Sequence, residues 1–350
     1  MAVEVYSSTP VMPGIEGRHL QNVSLPVAEA TQVSEARRSV AERTAALHFS
    51  SRAAGEAAIV ATELAGNLVK HGGGGELLLR TIGEGGNPGI ELLALDRGRG
   101  MDVARCLVDG YSTASSPGTG LGAIRRLAAL SDFYSVAGGG TAVLATFWSN
   151  GTPEEKGNWL VGGINVPLPG EEVCGDAWVV RCHDRGMDVM VVDGLGHGPE
   201  AARAASAAAA SFLSNGSRTP AQHLDAADAA LQPTRGAAMG VAVIDLHRRL
   251  VTFAGVGNTV GAVVTGDVTQ HLVSFGGIVG QRNIHRREFT APWSPDSMFI
   301  AHSDGIGTRW NLSPYAGLAE RHPSIIAGVL YRDFGRGRDD ASLLVLKRRP

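Results

Sequence analysis

"TELAGNLVKHGGGG", residues 62–75, sets a carboxylate (Glu63), an amide (Asn67), an ammonium (Lys70) and an imidazole (His71) into an otherwise apolar run. Offsets of 4, 7 and 8 from the glutamate put all four on one face of a helix. The stretch leading into it, "RAAGEAAIVATELA", is Ala-rich and suited to helix, and a run of glycines then stops it. Most polar stripes on helices are only solvated faces. The rest of the chain decides whether this one is more.

The 350 residues suggest two domains or one large one. A hydrophobic fraction of 44% and a charged fraction of 19% are ordinary for a soluble globular protein. The formal charge of −3 gives no general electrostatic case for nucleic acid or an anionic membrane. The basic clusters "RNIHRR" and "KRRP" are short enough for surface loops or a tail. Cys106, Cys174 and Cys182 are odd in number and lack ligand-like spacing, which reads as reduced thiols of a cytosolic protein. "MAVEVYSSTPVMPG" has no signal-peptide pattern, and the Ala-rich "AARAASAAAASFL" is short and carries Arg203. The expectation is a soluble, cytoplasmic protein.

Residues 27–48 have helical periodicity, and the helix bearing Glu63 follows. "GELLLRTI" and "GIELLALDRG" read as strands joined by the turn-rich "GEGGNPG". A loop over 101–120, a helix at "LGAIRRLAAL" and the strands "DFYSVAG" and "GTAVLATFW" complete residues 1–148 as an α+β layer with a mostly antiparallel sheet. "SNGTPEEKGN", 149–158, reads as a linker. In residues 159–350 strands dominate, with helices expected at 199–213 and 220–231. The second helix has Thr219 as N-cap and Pro220 at its first position. Two layers of sheet with flanking helices suit that content.

Two further signals follow the polar stripe. "LDRGRGM" ends an apolar strand with Asp96, Gly98 and Gly100. The aspartate can accept a hydrogen bond from an exocyclic amine, and the glycines let a flat ring approach the backbone. "SPGTGLGAIRRL" then places Gly118, Thr119, Gly120, Leu121 and Gly122 before a helix, where backbone amides and the helix dipole favour an anion. No βαβ unit surrounds these glycines, so they are not the dinucleotide fingerprint.

In this order the three signals resemble the N, G1 and G2 boxes of the GHKL (Bergerat) ATP-binding fold, over roughly residues 20–148. "ELAGNLVKHG" and the "GYST" loop are similar, more narrowly, to the anti-sigma-factor serine kinases of the RsbW/RsbT type. The resemblance implies an α/β sandwich in which Asn67 binds the Mg²⁺ of ATP and Glu63 is the base toward a substrate hydroxyl. It implies that Asp96 reads adenine and that Gly98, Gly100 and the 118–122 segment line the nucleotide. Lys70 and His71 would contact phosphate or the rim.

The second half carries acidic residues at strand ends: Asp176 in "CGDAW", Asp193 with Gly194 in "VVDGLGHG", Asp304 in "AHSDGIG", and Asp339 and Asp340 in "GRDDASLLVL". Any single Asp-Gly pair is readily a turn. Clustered carboxylates repel, however, and together invite a shared cation; hard oxygen donors suit Mg²⁺ or Mn²⁺ rather than zinc. "GExxCGDAW", "DGLGHG", "SDGI" and "DDAS" in order resemble the metal-dependent type 2C protein phosphatases of the bacterial SpoIIE/RsbX branch, over residues 159–347. That resemblance implies an αββα sandwich with two Mn²⁺ or Mg²⁺ ions on Asp193, the Gly194 carbonyl, Asp304 and Asp339, with Asp176 nearby. His197 would protonate the leaving oxygen, although it is offset from the histidine of eukaryotic relatives. Their phosphate-holding N-terminal arginine has no match; Arg181, Arg185 and Arg203 are the candidates.

The two resemblances imply an ATP-dependent serine/threonine kinase fused to a metal-dependent serine/threonine phosphatase. The implied partner is a STAS-domain, anti-sigma-antagonist-like protein of a partner-switching pathway, with a sigma factor or a downstream phosphatase as a further partner, and neither nucleic acid nor membrane. The alternative is a first domain that only binds ATP and sequesters a partner while the phosphatase turns over. Glu63 argues against it, because binding alone needs no base.

Overall fold

The computed structural model describes residues 21–83, 87–106, 120–153, 158–214, 216, 218–281 and 284–349. The chain divides into two compact units. Among the described residues, one comprises 22–153 and 314–332; the other comprises 158–313 and 333–349, together with Gln21.

In the first of these, β1 (Val23–Val27), β2 (Gly75–Ile82), β3 (Gly89–Asp96), β4 (Leu130–Ser135) and β5 (Thr141–Trp148) form an antiparallel sheet of order β1-β2-β3-β5-β4. α1 (Ala30–Ala46) and α2 (Ser51–Asn67) pack together, and α2 also packs on α4 (Gly120–Leu127); α3 (Val103–Cys106) is a single turn. Ser50 caps α2 by accepting from the Ala53 amide. Strand periodicity sets the core. Leu77 and Leu79 on β2, with Leu92 and Ala94 on β3, pack with Ala57, Val60, Ala61 and Leu64 of α2. Leu78, Leu93 and Leu95 point to the opposite face and are buried as well, so both strands read as nearly unbroken apolar runs.

The second unit has two five-stranded antiparallel sheets. The first joins β7 (Asp176–His183), β8 (Gly186–Gly194), β9 (Ala237–Asp245), β10 (Leu250–Val256) and β13 (Phe289–Pro292) in the order β13-β10-β9-β8-β7. The second joins β6 (Trp159–Val166), β11 (Val260–Thr265), β12 (Val268–Leu272), β14 (Ser297–His302) and β15 (Ala341–Arg348) in the order β12-β11-β14-β15-β6. Residues of both sheets, among them Trp178, Val189, Phe253, Phe299 and Leu344, make one core. The other face of the first sheet is covered by α5 (Gly198–Ser214) and α6 (Pro220–Leu231), through Ala205, Ala208, Phe212 and Leu224. Thr219 and Gln222 form a capping box at α6, with Pro220 at its first position, as the sequence indicates.

α7 (Pro323–Phe334) has no counterpart in the sequence reading. Its residues 323–330 are all buried, and a helix buried all round shows no amphipathic stripe. Residues 314–332 group with the first sheet although they lie in the second half of the chain. A Cβ on Gly328 would stand 2.7 Å from Leu93. Ser324 Oγ donates to Glu91 Oε2 (2.8 Å), Tyr331 Oη to Glu76 Oε1 (3.2 Å), and the His322 amide to Asp132 Oδ2 (2.6 Å). Glu91 is in turn held by both Nε and Nη2 of buried Arg80.

Candidate functional site

The strand-end aspartate of the first unit is firmly placed. Asp96 Oδ1 accepts from the Gly98 amide (2.8 Å) and the Thr141 amide (3.2 Å), and its backbone carbonyl accepts from Arg332 Nη1 (2.8 Å). Oδ2 is turned toward Gly72, where a Cβ would stand 3.4 Å from it. Burial pushes this carboxyl up, against the two amide hydrogen bonds.

Glu63 and Asn67 lie one turn apart on α2, and the start of α4 sits over them. A Cβ on Gly120 would be 3.0 Å from Glu63 Oε2 and 3.9 Å from Asn67 Nδ2. The polar stripe and the last glycine segment thus meet, with Leu121 and Gly122 following on α4. Gly118, Thr119 and the "GYST" loop lie outside the described residues.

Lys70 and His71 lie beyond the regular part of the helix that bears Glu63 and Asn67. After Asn67 the helix widens into a π turn over Leu68–Gly72, closed by Gly73 with φ +69 and by the Gly74 amide on Leu68 O. The wider turn breaks the 3.6-residue spacing that the offsets assumed. His71 lies within the electrostatic reach of Asp96, and burial, then Arg99 and Lys70, push its imidazole down.

In the second unit, Asp176 and Asp193 sit directly opposite one another where β7 pairs with β8. Like charges so placed are destabilising. Asp176 is buried, and its Oδ2 has no hydrogen-bond partner. Burial, then Asp193, pushes its carboxyl well up. Burial, then Asp304, Asp339 and Asp340, pushes Asp193 up to about 7. Asp304, just past β14, is raised by burial and then by Asp339, against Arg336, Asn258 and Arg338. Four strand-end carboxylates separated by up to 163 positions (Asp176 to Asp339) therefore share one field.

The tandem pair divides its work. Asp340 is buried and spends both oxygens, Oδ1 on the Leu168 amide (2.7 Å) and Oδ2 on the Gly175 amide (2.9 Å). Among the described residues, Asp339 accepts only the Asp340 amide, through Oδ1 (2.9 Å). No three His, Cys, Asp or Glu side chains among the described residues already form a closed ligand set. An open carboxylate group in which burial and repulsion raise Asp176, Asp193 and Asp304, with an orphaned buried oxygen, nevertheless fits a divalent-cation site, since a cation removes that repulsion.

Two neighbours escaped the sequence reading. Asn258 Nδ2 donates to Asp304 Oδ2 (2.6 Å), and Glu171 Oε1 pairs with His197 Nδ1 (2.6 Å). Glu171 belongs to the quoted "GExxCGDAW" motif, so its presence near the site was visible, though its partner was not. Each arginine candidate pairs with an acid outside the cluster. Arg181 is buried on Asp188, Arg185 pairs with Asp245, and Arg203 pairs with Glu200 on its own helix.

Residues 27–147 match the family described as histidine kinase-like ATPase domain, and residues 183–349 match Stage II sporulation protein E (SpoIIE). The chain therefore joins a histidine kinase-like ATPase domain to a SpoIIE-type domain of the type 2C phosphatase class. It is similar to the serine/threonine-protein kinase RsbT of Bacillus subtilis (strain 168), at 34% identity over 88 residues, 25% of this chain and 66% of that kinase. It is also similar to the phosphoserine phosphatase RsbX of the same organism, at 28% identity over 140 residues, 39% of this chain and 69% of that phosphatase. The solved structure described as "The bacterial stressosome: a modular system that has been adapted to control secondary messenger signaling" matches with TM-score 0.51 and 29% identity. That match covers 55% of this chain and 100% of the other. No helix among the described residues is long and apolar enough to cross a membrane.

Proposed function

We infer that the protein phosphorylates and dephosphorylates serine or threonine on a STAS-domain partner in a cytoplasmic partner-switching pathway. The observation that carries the phosphatase half is the electrostatic stress shared by Asp176, Asp193, Asp304 and Asp339 at the ends of apolar strands. Asp193, Asp304, Asp339 and the Gly194 carbonyl would hold Mn²⁺ or Mg²⁺, with Asp176 beside them. Bound there, two divalent ions supply Lewis acidity toward a phosphoryl group and a nucleophilic water at neutral pH. Asn258 fixes the rotamer of Asp304, and Asp340 ties the 168 and 175 backbone segments beneath the site. His197, whose Nδ1 pairs with Glu171, would return a proton to a leaving serine oxygen.

The kinase half rests on Glu63, Asn67 and the Gly120 backbone lying together, and on an Asp96 whose carboxylate is held in place by backbone amides at the end of β3. Asn67 would hold the Mg²⁺ of ATP, Asp96 would accept from the adenine amine, and Glu63 would take the proton of the incoming hydroxyl. Similarity to a kinase and a phosphatase that both carry Rsb names supports one pathway for the two halves. The test is phosphate release from a phosphoserine-bearing STAS protein by the full chain. Release should need Mn²⁺ or Mg²⁺, stop with chelator, and fall by several orders of magnitude in Asp304→Ala. Undiminished release in EDTA would refute the metal assignment.

A further inference from the structure

A phosphoryl group arriving at the carboxylate site presents anionic oxygens that a fixed cation of the protein can orient, and the three sequence candidates pair with other acids. The geometry points to Arg235 as the residue that holds the substrate phosphate, an assignment that rests on the phosphatase reading above.

Asp193 and Gly194 pair with Ala238 and Ala237 at the end of the β8–β9 ladder. Beyond it the two chains stay joined, because the Leu195 amide donates to Gly236 O (3.0 Å). The next residues across this extension are Gly196 and Arg235. A Cβ on Gly196 would lie 3.4 Å from Arg235 Nη1, and Gly196 has φ +90, a conformation that favours glycine. The guanidinium therefore lies against the Asp193–Gly198 loop, three residues on from Asp193, roughly 10 Å of extended chain.

The segment carrying Arg235 is itself braced. Thr234 Oγ1 donates to Leu231 O (2.7 Å) and accepts from the Gly236 amide (3.0 Å). The Ala237 amide pairs with Val279 O (3.0 Å). Arg235 is exposed and, among the described residues, makes no hydrogen bond or ion pair. Its five N–H donors are thus available on a rigid mount.

The other exposed arginines at this end, Arg336 and Arg338, already act on Asp304. They offset the acidic cluster, whereas Arg235 lies against Gly196 and, among the described residues, pairs with no carboxylate. A planar guanidinium fork with unspent donors suits a phosphate monoester, which presents several acceptor oxygens. In this chain the phosphate cation comes from the α6–β9 connection, which explains why no N-terminal arginine matches.

The test uses the full chain loaded with Mg²⁺, inorganic phosphate as the probe in calorimetry, and a phosphoserine peptide in kinetics. Arg235→Ala should weaken phosphate binding about 10- to 100-fold, the loss expected for a charge-assisted pair. KM for the peptide should rise by a similar factor, and Arg235→Lys should recover part of both. The unfolding midpoint of Arg235→Ala should match the parent, because the side chain has no described partner to lose. Arg185→Ala, at the opposite end of the sheet, should change none of these. Unaltered phosphate affinity in Arg235→Ala, no phosphate binding by the parent, or a loss seen instead in Arg336→Ala would overturn the assignment. A parent that binds phosphate through Arg235 yet releases none from the peptide would instead refute the phosphatase reading.

Discussion

Replacing Asp193 with asparagine in metal-free protein should make the protein more stable, in a way that depends on pH. The carboxyl is pushed from an ordinary value of 3.8 up to about 7 by burial and then by Asp304, Asp339 and Asp340. Between those two values the folded state holds a proton that the unfolded state has released. The parent therefore loses stability as pH rises from about 4 to about 7, and the loss is complete above 7. A shift of that size corresponds to roughly 4 kcal/mol at pH 8 and roughly 1.5 kcal/mol at pH 5. The asparagine side chain carries no charge and escapes this loss. Among the described residues, Asp193 makes no hydrogen bond that the amide would forfeit. For a unit of this size, 4 kcal/mol is on the order of 10 °C in the midpoint. The assay is thermal unfolding of parent and Asp193→Asn in EDTA from about pH 4.5 to about pH 8.5, a window that brackets the shifted carboxyl, following the transition that responds to metal. The gain should grow up to about pH 7 and then level off. Adding Mn²⁺ at about 100 times its Kd should give the parent about 2.7 kcal/mol and the variant far less, narrowing or reversing the order. Destabilisation by Asp193→Asn, or a gain that ignores pH, would refute the view that these carboxylates strain against one another.

Three further outcomes follow from the same contacts. Asp340→Ala should cost about 3 kcal/mol, since two amides lose a carboxylate partner, whereas Asp339→Ala should leave the midpoint nearly unchanged and abolish the stabilisation by Mn²⁺; equal costs in EDTA would contradict the division of the tandem pair. ATP with Mg²⁺ should raise the midpoint of the first unit. Asn67→Ala should remove the Mg²⁺-dependent part, while Glu63→Ala keeps binding and loses phosphoryl transfer, as followed by calorimetry and by mass spectrometry of the partner. Arg80→Met should destabilise by about 3–5 kcal/mol in chemical denaturation, because Glu91 would be left buried without its guanidinium, with the Ser324 hydroxyl and the field of His322 in its place; a change within about 1 kcal/mol would argue that Arg80 and Glu91 are solvated.

Strand ends were the most legible part of the site. Asp176, Asp193 and Asp304 each border an apolar run, and the runs became β7, β8 and β14 with ends that converge. The Glu63–Asn67 pair was legible for the same kind of reason, being one turn of an ordinary helix. The π turn that carries Lys70 and His71 was not legible, because it is set by how the chain leaves α2 near Asp96, not by local spacing. α7 was missed because burial on every side erases the periodicity that marks a helix. Asn258 with Asp304 and Arg235 with Gly196 are pairings between loops 46 and 39 positions apart, which only the fold brings together.

The central claim is that one chain both adds and removes phosphate on the same partner hydroxyl, and phosphosite mapping by mass spectrometry tests it most directly. The full chain is incubated with its STAS-domain partner, ATP, Mg²⁺ and Mn²⁺. The parent should hold the partner at low phosphorylation while ADP accumulates continuously. Asp304→Ala should drive one serine or threonine to full occupancy, and Glu63→Ala should leave it unmodified. If the partner stays unphosphorylated with Asp304→Ala, or if the residue filled by that variant is not the one the parent clears, the two halves do not share a substrate and the account is contradicted.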